Sequence, residues 1–361
     1  TVMLPGIGSW LAVAIARSDV AAIGWAVGAM ATVILLYDQL FFRPVLAWAD
    51  RFRFEQTAAA DQPRSWLYDM IRHTRLLRRL RTPAGMFGRL LLRLGRPRAM
   101  RAPGRPRTAP GRVARMGEWA WRLLLTAGAA GAAWLVARFA ATRITPGDTL
   151  EVLRLSLLTL GRVVVLVALA SLIWVPAGVW IGLRPAWAAR LQPLAQFLAA
   201  FPANVLFPVA VVAIVRWRLD PDVWLSPLMI LGTQWYILFN VIAGAAAIPS
   251  DLREAARMFG VRGGQWWLKV ALPAVFPYYV TGALAASGGS WNASIVAEAV
   301  SWGGTRLEAA GLGAYIARAS EAADYPRVAL GVGMMSLFVI AFNRLVWRRF
   351  YAFAERRLRL A

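Results

Sequence analysis

The 361-residue sequence combines a high hydrophobic content with a strong positive charge. Hydrophobic residues make up 59% of it and charged residues 16%, against about 25% charged in soluble domains, and the formal net charge is +23. A membrane protein with several spans and a nucleic-acid binder with a large core both fit these values. The absence of cysteine and the single histidine, His73, exclude disulfides and thiolate sites and argue against a His-based metal site or catalytic triad. We therefore predict no metal site and no catalytic residue.

Seven stretches of the chain are apolar enough to cross a bilayer, which takes about 20 residues. They lie at 20–42, 118–138, 153–183, 192–215, 225–247, 274–300 and 325–348. The third and sixth exceed a simple span and are expected to be tilted, kinked or broken, with Pro176 favouring a kink in the third. The predicted fold class is an all-α polytopic membrane protein.

The basic residues between the spans predict the orientation. Residues 51–117 hold 17 Arg and three acidic residues, and the loop 248–272 and the tail 348–361 are also basic. The positive-inside rule places all three in the cytoplasm. An Arg-rich segment also fits nucleic-acid binding, but Arg clusters beside spans more often contact anionic lipids. We expect membrane lipids, and no nucleic acid, as its partner.

The chain contains an internal repeat at an offset of 305 residues. Gly6-Ile7-Gly8 matches Gly311-Leu312-Gly313, and the ungapped match continues to Arg51 and Arg356 with 13 identities in 46 positions. The repeat predicts three parts: 1–52 as the C-terminal part of a first membrane module, 53–117 as a basic cytoplasmic linker, and 118–361 as a complete second module. We therefore interpret the chain as a fragment of a tandem protein, rather than as a native form with one helix of its first copy.

The basic loop between the fifth and sixth spans predicts a short amphipathic helix over 251–259. Ser250 is a suitable N-cap, acidic residues occupy the first turn, and Gly260 is suited to a left-handed helix end. An apolar stripe follows helical spacing: Leu252, Ala255, Ala256 and Phe259. Such a helix fits a groove on a soluble partner, or it packs on its own protein; the pattern alone leaves both open.

The same loop resembles the EAA loop of ABC importer permeases. Glu254-Ala255-Ala256 is followed by Gly260 and then by Leu272-Pro273 at the family's spacing, and the one departure is Val270 where the family has Ile. The resemblance implies a six-helix type I importer module whose loop seats on an ATP-binding subunit. The implied coupling residues are Arg253, Glu254, Ala255, Ala256, Gly260, Leu272 and Pro273. With no G-x-x-x-x-G-K-[ST] motif, we expect no cofactor in this chain and ATP with Mg on a partner ATPase.

Three further segments, 201–208, 290–298 and 311–313, resemble the nitrate/sulfonate/taurine/bicarbonate branch of these permeases, including its tandem-fused forms. The implied function is the permease subunit of an ATP-driven importer for a small anion. The implied partners are ABC ATPase subunits and an extracytoplasmic substrate-binding protein. An ATP-independent channel or secondary transporter is the alternative, although titratable groups within the spans are scarce.

Polar residues within the spans are the candidates for the translocation pathway, because unpaired polar groups are costly in hydrocarbon. They are Pro202, Asn204, Gln234, Asn240, Ser287, Ser290, Asn292, Ser294 and Glu298. Each residue taken singly also fits an interhelical hydrogen bond. For Glu298 we expect a structural or gating role, since a free carboxylate repels anions. No Arg within the spans stands out as an anion ligand.

Overall fold

The computed structural model describes residues 6–42, 44–45, 112–141 and 144–357. Most of the predicted basic linker, 53–117, therefore lies outside the described residues. The chain divides into two compact units, 1–31 with 135–361 and 32–134. The first of these contains the coupling loop and the candidate pathway residues.

The chain begins with α1 (Ile7–Ala16) and α2 (Val20–Tyr37), and the π-helical turn Asp38–Phe42 continues α2. Helix α3 (Arg112–Ala141) contains the predicted span 118–138, which stays a prediction. Helix α4 (Pro146–Gly182) begins at a capping box in which Thr145 and Asp148 bond each other's backbone N–H groups. It continues through Pro176 without a break, so the third predicted span is one long helix.

The fourth and fifth predicted spans are bent pairs of helices. Helix α5 (Pro185–Ala200) is followed by the 3₁₀ turn Ala203–Leu206 and by α6 (Phe207–Arg216), at an angle of 79°. The bend follows from Pro202, because the residue before a proline avoids helical angles, and Phe201 is extended at φ −73°, ψ 130°. Helices α7 (Pro221–Trp224), α8 (Leu228–Leu231) and α9 (Gln234–Ala246) form the second pair, bent by 43°.

The second half of the chain alternates short and long elements. Helix α10 (Ser250–Met258) is the predicted loop helix. Helix α11 (Gly263–Trp266), the π-helical turn Trp267–Ala271 and α12 (Leu272–Ala297) then form one helical stretch. The antiparallel strands β1 (Ala299–Trp302) and β2 (Thr305–Glu308) pair Ala299 with Glu308 and Trp302 with Thr305. The chain continues with α13 (Leu312–Glu321), α14 (Tyr325–Phe342), the π-helical turn Asn343–Trp347 and α15 (Arg348–Arg357).

The hairpin β1–β2 corrects the predicted end of the sixth span. The predicted span 274–300 ends too late, because the helix stops at Ala297 and residues 299–302 form a strand. Apolar residues on both sides of Glu298 do not by themselves distinguish the end of a buried helix from a short buried strand. Gly303, at φ +56°, makes the turn that reverses the chain.

Apolar helices long enough to cross a membrane dominate the described residues, which confirms the polytopic all-α fold class. Four pass this test by length and composition: Val20–Phe41, Pro146–Gly182, Gly263–Ala297 and Tyr325–Arg356. Counting each bent pair as one span raises the number to six. Many large hydrophobic side chains on these helices are exposed, as expected where lipid or another subunit covers them.

The central helix α9 packs between α4 and α12 through glycines. A Cβ atom added at Gly178 of α4 would lie 2.8 Å from Val241 Cγ1, and one added at Gly282 of α12 would lie 3.0 Å from Ile237 Cα. The three backbones therefore approach closely, as membrane helices do at small residues. Ile237 and Val241 are fully buried at these contacts and belong to the hydrophobic core of the bundle.

The two copies of the internal repeat have the same local structure. Helices α1 and α13, helices α2 and α14, and the two π-helical turns correspond at the 305-residue offset. Ser18 and Ala323 both have left-handed angles, at φ 54° and 53°. Asp19 and Asp324 then accept the backbone N–H of Ala22 and Arg327, at 2.9 and 3.3 Å. The repeat is therefore one of structure as well as of sequence.

We expect Gly282→Ala to lower the stability of the chain by about 1–3 kcal/mol, because the new methyl group overpacks the contact with α9. Gly288→Ala in the same helix is the matched control. A Cβ atom at Gly288 meets nothing within 4 Å, so alanine there is neutral or slightly stabilising. The thermal unfolding midpoint in detergent measures both, and equal midpoints for the two variants would contradict the packing argument.

Candidate functional site

The loop helix α10 forms where the sequence predicts it, with a different N-cap. Pro249, at φ −56° and ψ 142°, precedes the helix, and Ser250 is its first residue, so the prediction of Ser250 as the N-cap is wrong. The Ser250 hydroxyl donates to Asp251 Oδ1 at 3.2 Å instead of capping a backbone N–H. Gly260 has the left-handed conformation predicted for the helix end, at φ +67°.

The apolar stripe predicted on α10 divides between two surfaces. Ala256 is buried, Leu252 packs against the core, and Ala255 is half-buried, so this part contacts the chain itself. Phe259 is 85% exposed and its neighbour Met258 is 86% exposed. One side of the helix therefore packs on its own protein, and its C-terminal end presents two large apolar side chains outward. Binding in a groove of a soluble partner stays a prediction.

Charged residues surround the exposed end of α10. Glu254 and Arg257 are exposed, while Arg253 is half-buried and its Nε has no hydrogen-bond partner within the described residues. Leu272 is the first residue of α12 and Pro273 lies in its first turn, inside the continuous helical stretch Gly263–Ala297. The implied coupling residues thus lie in α10, at Gly260 just after it, and at the start of α12.

A groove of about 270 Å³ opens where the two bent helix pairs meet. Pro202 and Asn204 from the first break line it, together with Gly232 and Thr233 from the second. A Cβ atom at Gly232 would lie 3.1 Å from Ala203 Cβ, so the two breaks are in contact. Ala293 and Val296 of α12 form the opposite wall. Broken helices that line a cavity are typical of substrate sites in transporters.

Other predicted pathway residues make hydrogen bonds inside the bundle. Gln234 Oε1 accepts from Trp174 Nε1 at 2.9 Å, and Asn240 Nδ2 donates to the Tyr236 carbonyl at 2.8 Å. The hydroxyls of Ser287, Ser290 and Ser294 are buried and bond to Trp347, to Thr233 and Ala286, and to Trp291. Asn292 is exposed on α12 between Ala293 and the buried Trp291. The structure therefore groups Pro202 and Asn204 at the groove and does not bring all nine residues together.

Glu298 is the centre of a buried polar network at the C-terminal end of α12. Its side chain is fully buried, and Oε1 accepts from Thr159 Oγ1 at 2.9 Å and from Arg162 at 3.0 Å. Oε2 accepts the backbone N–H groups of Gly313 and Ala314, at 2.7 and 3.4 Å. The carboxylate is thus held by a guanidinium, a hydroxyl and the N-terminus of α13, which favours negative charge.

Arg162 is a charged residue within the third predicted span that the sequence analysis did not single out. It lies in α4 with 15% of its side chain exposed, and it bonds Glu298, Asp222 Oδ1 at 3.1 Å and the Ala310 carbonyl at 2.9 Å. Asp222 Oδ1 also accepts the N–H of Ala310 at 2.6 Å. Sequence analysis overlooked Arg162 because it lies between apolar residues of a long run, yet a charged residue in such a run is itself the signal.

The charges of this network do not favour an anion ligand. One guanidinium faces two carboxylates, Glu298 and Asp222, so the group carries a net negative charge and the arginine is already engaged by both. The expected structural or gating role for Glu298 agrees with this arrangement. The network joins α4, α7, the end of α12 and the start of α13.

A second group of ion pairs links the hairpin to α13. Arg306 of β2 bonds the carboxylates of Glu321 and Glu308, and Arg318 lies 3.7 Å from Glu308. The hydrogen bond to Glu321, and then that to Glu308, raises the pKa of the Arg306 guanidinium above its ordinary value. Because Arg306 is 40% exposed, these pairs add little to stability and serve mainly to orient the hairpin.

Comparison with known proteins identifies the family of this chain. Residues 174–360, from the C-terminal part of α4 onward, match the family described as "Binding-protein-dependent transport system inner membrane component". The chain belongs to this family. It is therefore a multi-pass permease component of the inner membrane, which confirms the ABC importer permease predicted from the EAA loop.

Relatives of this permease chain include proteins named for small anions. The bicarbonate transport system permease protein CmpB of Synechococcus elongatus is 34% identical over 142 residues, 39% of this chain and 50% of CmpB. The nitrate import permease protein NrtB of Leptolyngbya laminosa is 29% identical over 188 residues, 52% of this chain and 64% of NrtB. NrtB of Synechocystis is 26% identical over 197 residues, 55% and 66% of the two chains. The chain thus spans between half and two thirds of the length of these relatives.

We expect Arg162→Met to destabilise the permease by about 3–5 kcal/mol, because it leaves the buried Glu298 carboxylate without its cation. Combining Arg162→Met with Glu298→Gln recovers part of the loss, since the uncompensated charge is removed. The exposed Arg154→Met, in the same helix, is the control and leaves the unfolding midpoint unchanged. If Arg162→Met alone is as stable as Arg154→Met, the ion pair does not stabilise the fold.

Proposed function

We propose that this chain is the transmembrane permease subunit of an ATP-driven importer for a small anion of the bicarbonate or nitrate type. The observation that carries the proposal is α10, a short polar helix in a basic loop whose end presents Met258 and Phe259 outward. A family matched over 174–360 and relatives named for bicarbonate and nitrate support the substrate class. ATP and Mg bind to partner ATPase subunits, and an extracytoplasmic binding protein delivers the anion.

Coupling between ATP hydrolysis and transport runs through one continuous helical path. The stretch Gly263–Ala297 begins just after α10 and extends for 35 residues, about 50 Å, past the groove to the Glu298 network. A rigid helix of this length transmits a displacement of α10 to its other end. The ATPase groove receives Phe259 and Met258, while Glu254 and Arg257 set the orientation of the contact.

The translocation pathway follows the face of α12 that carries Asn292, beside the groove at Pro202 and Asn204. Asn292 is exposed in the isolated chain, and an amide in contact with lipid is costly, so this face meets water or a second permease module. Neutral groups line this face, and a neutral lining passes an anion without trapping it. The basic loop, linker and C-terminus lie in the cytoplasm.

The alternative, an ATP-independent channel or secondary transporter, makes a different prediction in purified vesicles. Vesicles that hold the complete complex and ATP accumulate the anion, whereas the same vesicles without ATP show only leakage. Anion accumulation by the permease alone, driven by an ion gradient, would favour the alternative.

Glu254→Arg is expected to abolish ATPase association and uptake, because it reverses a charge beside the exposed end of α10. Glu151→Arg is the matched control, an equally exposed acidic residue near the opposite end of the bundle. Co-purification of the ATPase and anion uptake are measured together. Full complex formation and uptake by Glu254→Arg would refute this coupling surface.

Asn292→Trp is expected to block uptake while the ATPase still co-purifies, because a large ring on the pathway face of α12 fills the route. Leu337→Trp, on an exposed apolar face of α14, is the control for adding an indole to a span. Uptake is measured at equal amounts of assembled complex. Undiminished transport by Asn292→Trp would place the pathway elsewhere.

A further inference from the structure

The N-terminus of α13 is built to receive a carboxylate. Gly313 and Ala314 donate their N–H groups to Glu298, and Leu312 donates its N–H to Thr159 Oγ1 at 2.9 Å. Gly311 and Gly313 permit the close approach: Cβ atoms there would collide with the Glu298 carboxylate and with the Ser294 carbonyl. The close approach of Glu298 and Ser294 explains why glycine occupies these two positions. Backbone conformation does not explain Gly311, because any residue can adopt its extended angles.

The first turn of α1, residues 6–9, repeats this design, but no carboxylate of the described residues bonds to it. Gly6 precedes α1 with an extended backbone at φ 172°, ψ 171°, as Gly311 precedes α13 at φ −167°, ψ 170°. Gly8 and Ser9 stand where Gly313 and Ala314 stand in the second copy. Cβ atoms added at Gly6 or Gly8 would meet nothing within 4 Å in the described part of the chain, and both glycines are exposed.

The opposite side of α1 is already in contact with the second module. Leu11 and Ala26 form a buried cluster with Val205 of the 3₁₀ turn, and Ala14 is also buried. The carbonyl of Ile15 accepts the N–H of Gly303 in the hairpin at 3.1 Å. Helix α1 is therefore held in place on one side, while its first turn remains exposed on the other.

We infer that residues 6–9 form a docking turn for the C-terminal end of a second pathway helix, which presents a buried carboxylate to the N–H groups of Gly8 and Ser9. The orphan donors of a helix N-terminus favour such a charge. The two glycines, which cost helix stability when nothing requires them, give the close approach that Glu298 makes in the second copy. The inference depends on the repeat and not on the substrate or on ATP coupling.

The occupant is a permease module other than 118–361. A second copy of this chain does not supply it, because its Glu298 already bonds its own Gly313 and Ala314 and is fully buried. The partner must offer a helix that ends in an acidic residue, with small residues one turn earlier, as Ser294 precedes Glu298. Residues 6–42 then complete that module in the way that 311–347 complete the second one.

Photocrosslinking in membranes of cells that make the complete natural transporter tests this docking. The sequence contains no cysteine, so Ser9→Cys provides a single attachment point for a benzophenone maleimide. The expected adduct joins Ser9→Cys to a peptide at the end of a membrane helix with an acidic terminus, outside residues 118–361. Ser320→Cys, exposed on α13, is the control and gives no such adduct. An adduct with residues 287–298 of another copy, with lipid alone, or with no protein would overturn the inference.

A variant with a larger side chain in the first turn of α1 gives an independent test, in which the recovery of assembled permease is measured. Gly8→Val is expected to lower recovery of the assembled permease about tenfold, the size of one lost charge-assisted contact. It leaves the folding of the described residues unchanged, because its side chain meets no atom there. Ala12→Val, exposed one turn further along α1, is the control and assembles normally. Equal recovery of both variants would show that the first turn of α1 is not covered.

Discussion

The buried carboxylate of Glu298 is the interaction on which one end of the bundle depends. A carboxylate in an apolar interior is tolerated only when it is paired and fully hydrogen-bonded. Here four donors meet that need, and they come from α4 and α13, which are far apart in sequence. Arg162 then extends the contact to α7 through Asp222. The end of α12, the hairpin and the start of α13 therefore keep their positions together or lose them together.

The glycine contacts and this network stabilise the same helix by different means. Near its middle, α12 is held by close packing, where Gly282 lets it approach α9. At its C-terminal end it is held by charge and hydrogen bonds. Packing contacts tolerate small sliding displacements, whereas a hydrogen-bonded carboxylate has one favourable geometry. In the proposed coupling mechanism, a displacement that begins at α10 would therefore reach the network as a strain on a few specific bonds.

Much of the fold could be predicted from the sequence, because membrane helices need long apolar runs and α10 carries strong end signals. Gly260 ends that helix in the left-handed conformation as predicted, and α2, α4 and α14 lie where hydropathy places them. The hairpin was missed because Ala299 and Val300 were assigned to the sixth span, although Gly303-Gly304 is a local signal for a two-residue hairpin turn. The bend after Phe201 has a local cause in Pro202, but its angle depends on tertiary packing.

The candidate site was less accessible to sequence reasoning. Asn204 and Pro202 were identified as polar or helix-breaking residues within a span, but only the fold shows that they face the second break at Gly232 and Thr233. Glu298 was assigned a structural or gating role, but its pairing with Arg162 was not predicted, because 136 residues separate the two. Contacts between residues so far apart in sequence leave no trace in local pattern, spacing or composition.

The sharp bend between α5 and α6 also constrains how this protein enters a bilayer. The two helices have 16 and 10 residues, or about 24 and 15 Å, and neither alone covers a hydrocarbon layer of about 30 Å. The backbone groups freed at the bend find no partners in lipid. Helix α5 packs against α4 and α9, and α6 packs against β1. We therefore expect the segment to be stable in the membrane only together with these elements, and insertion to be cooperative rather than stepwise.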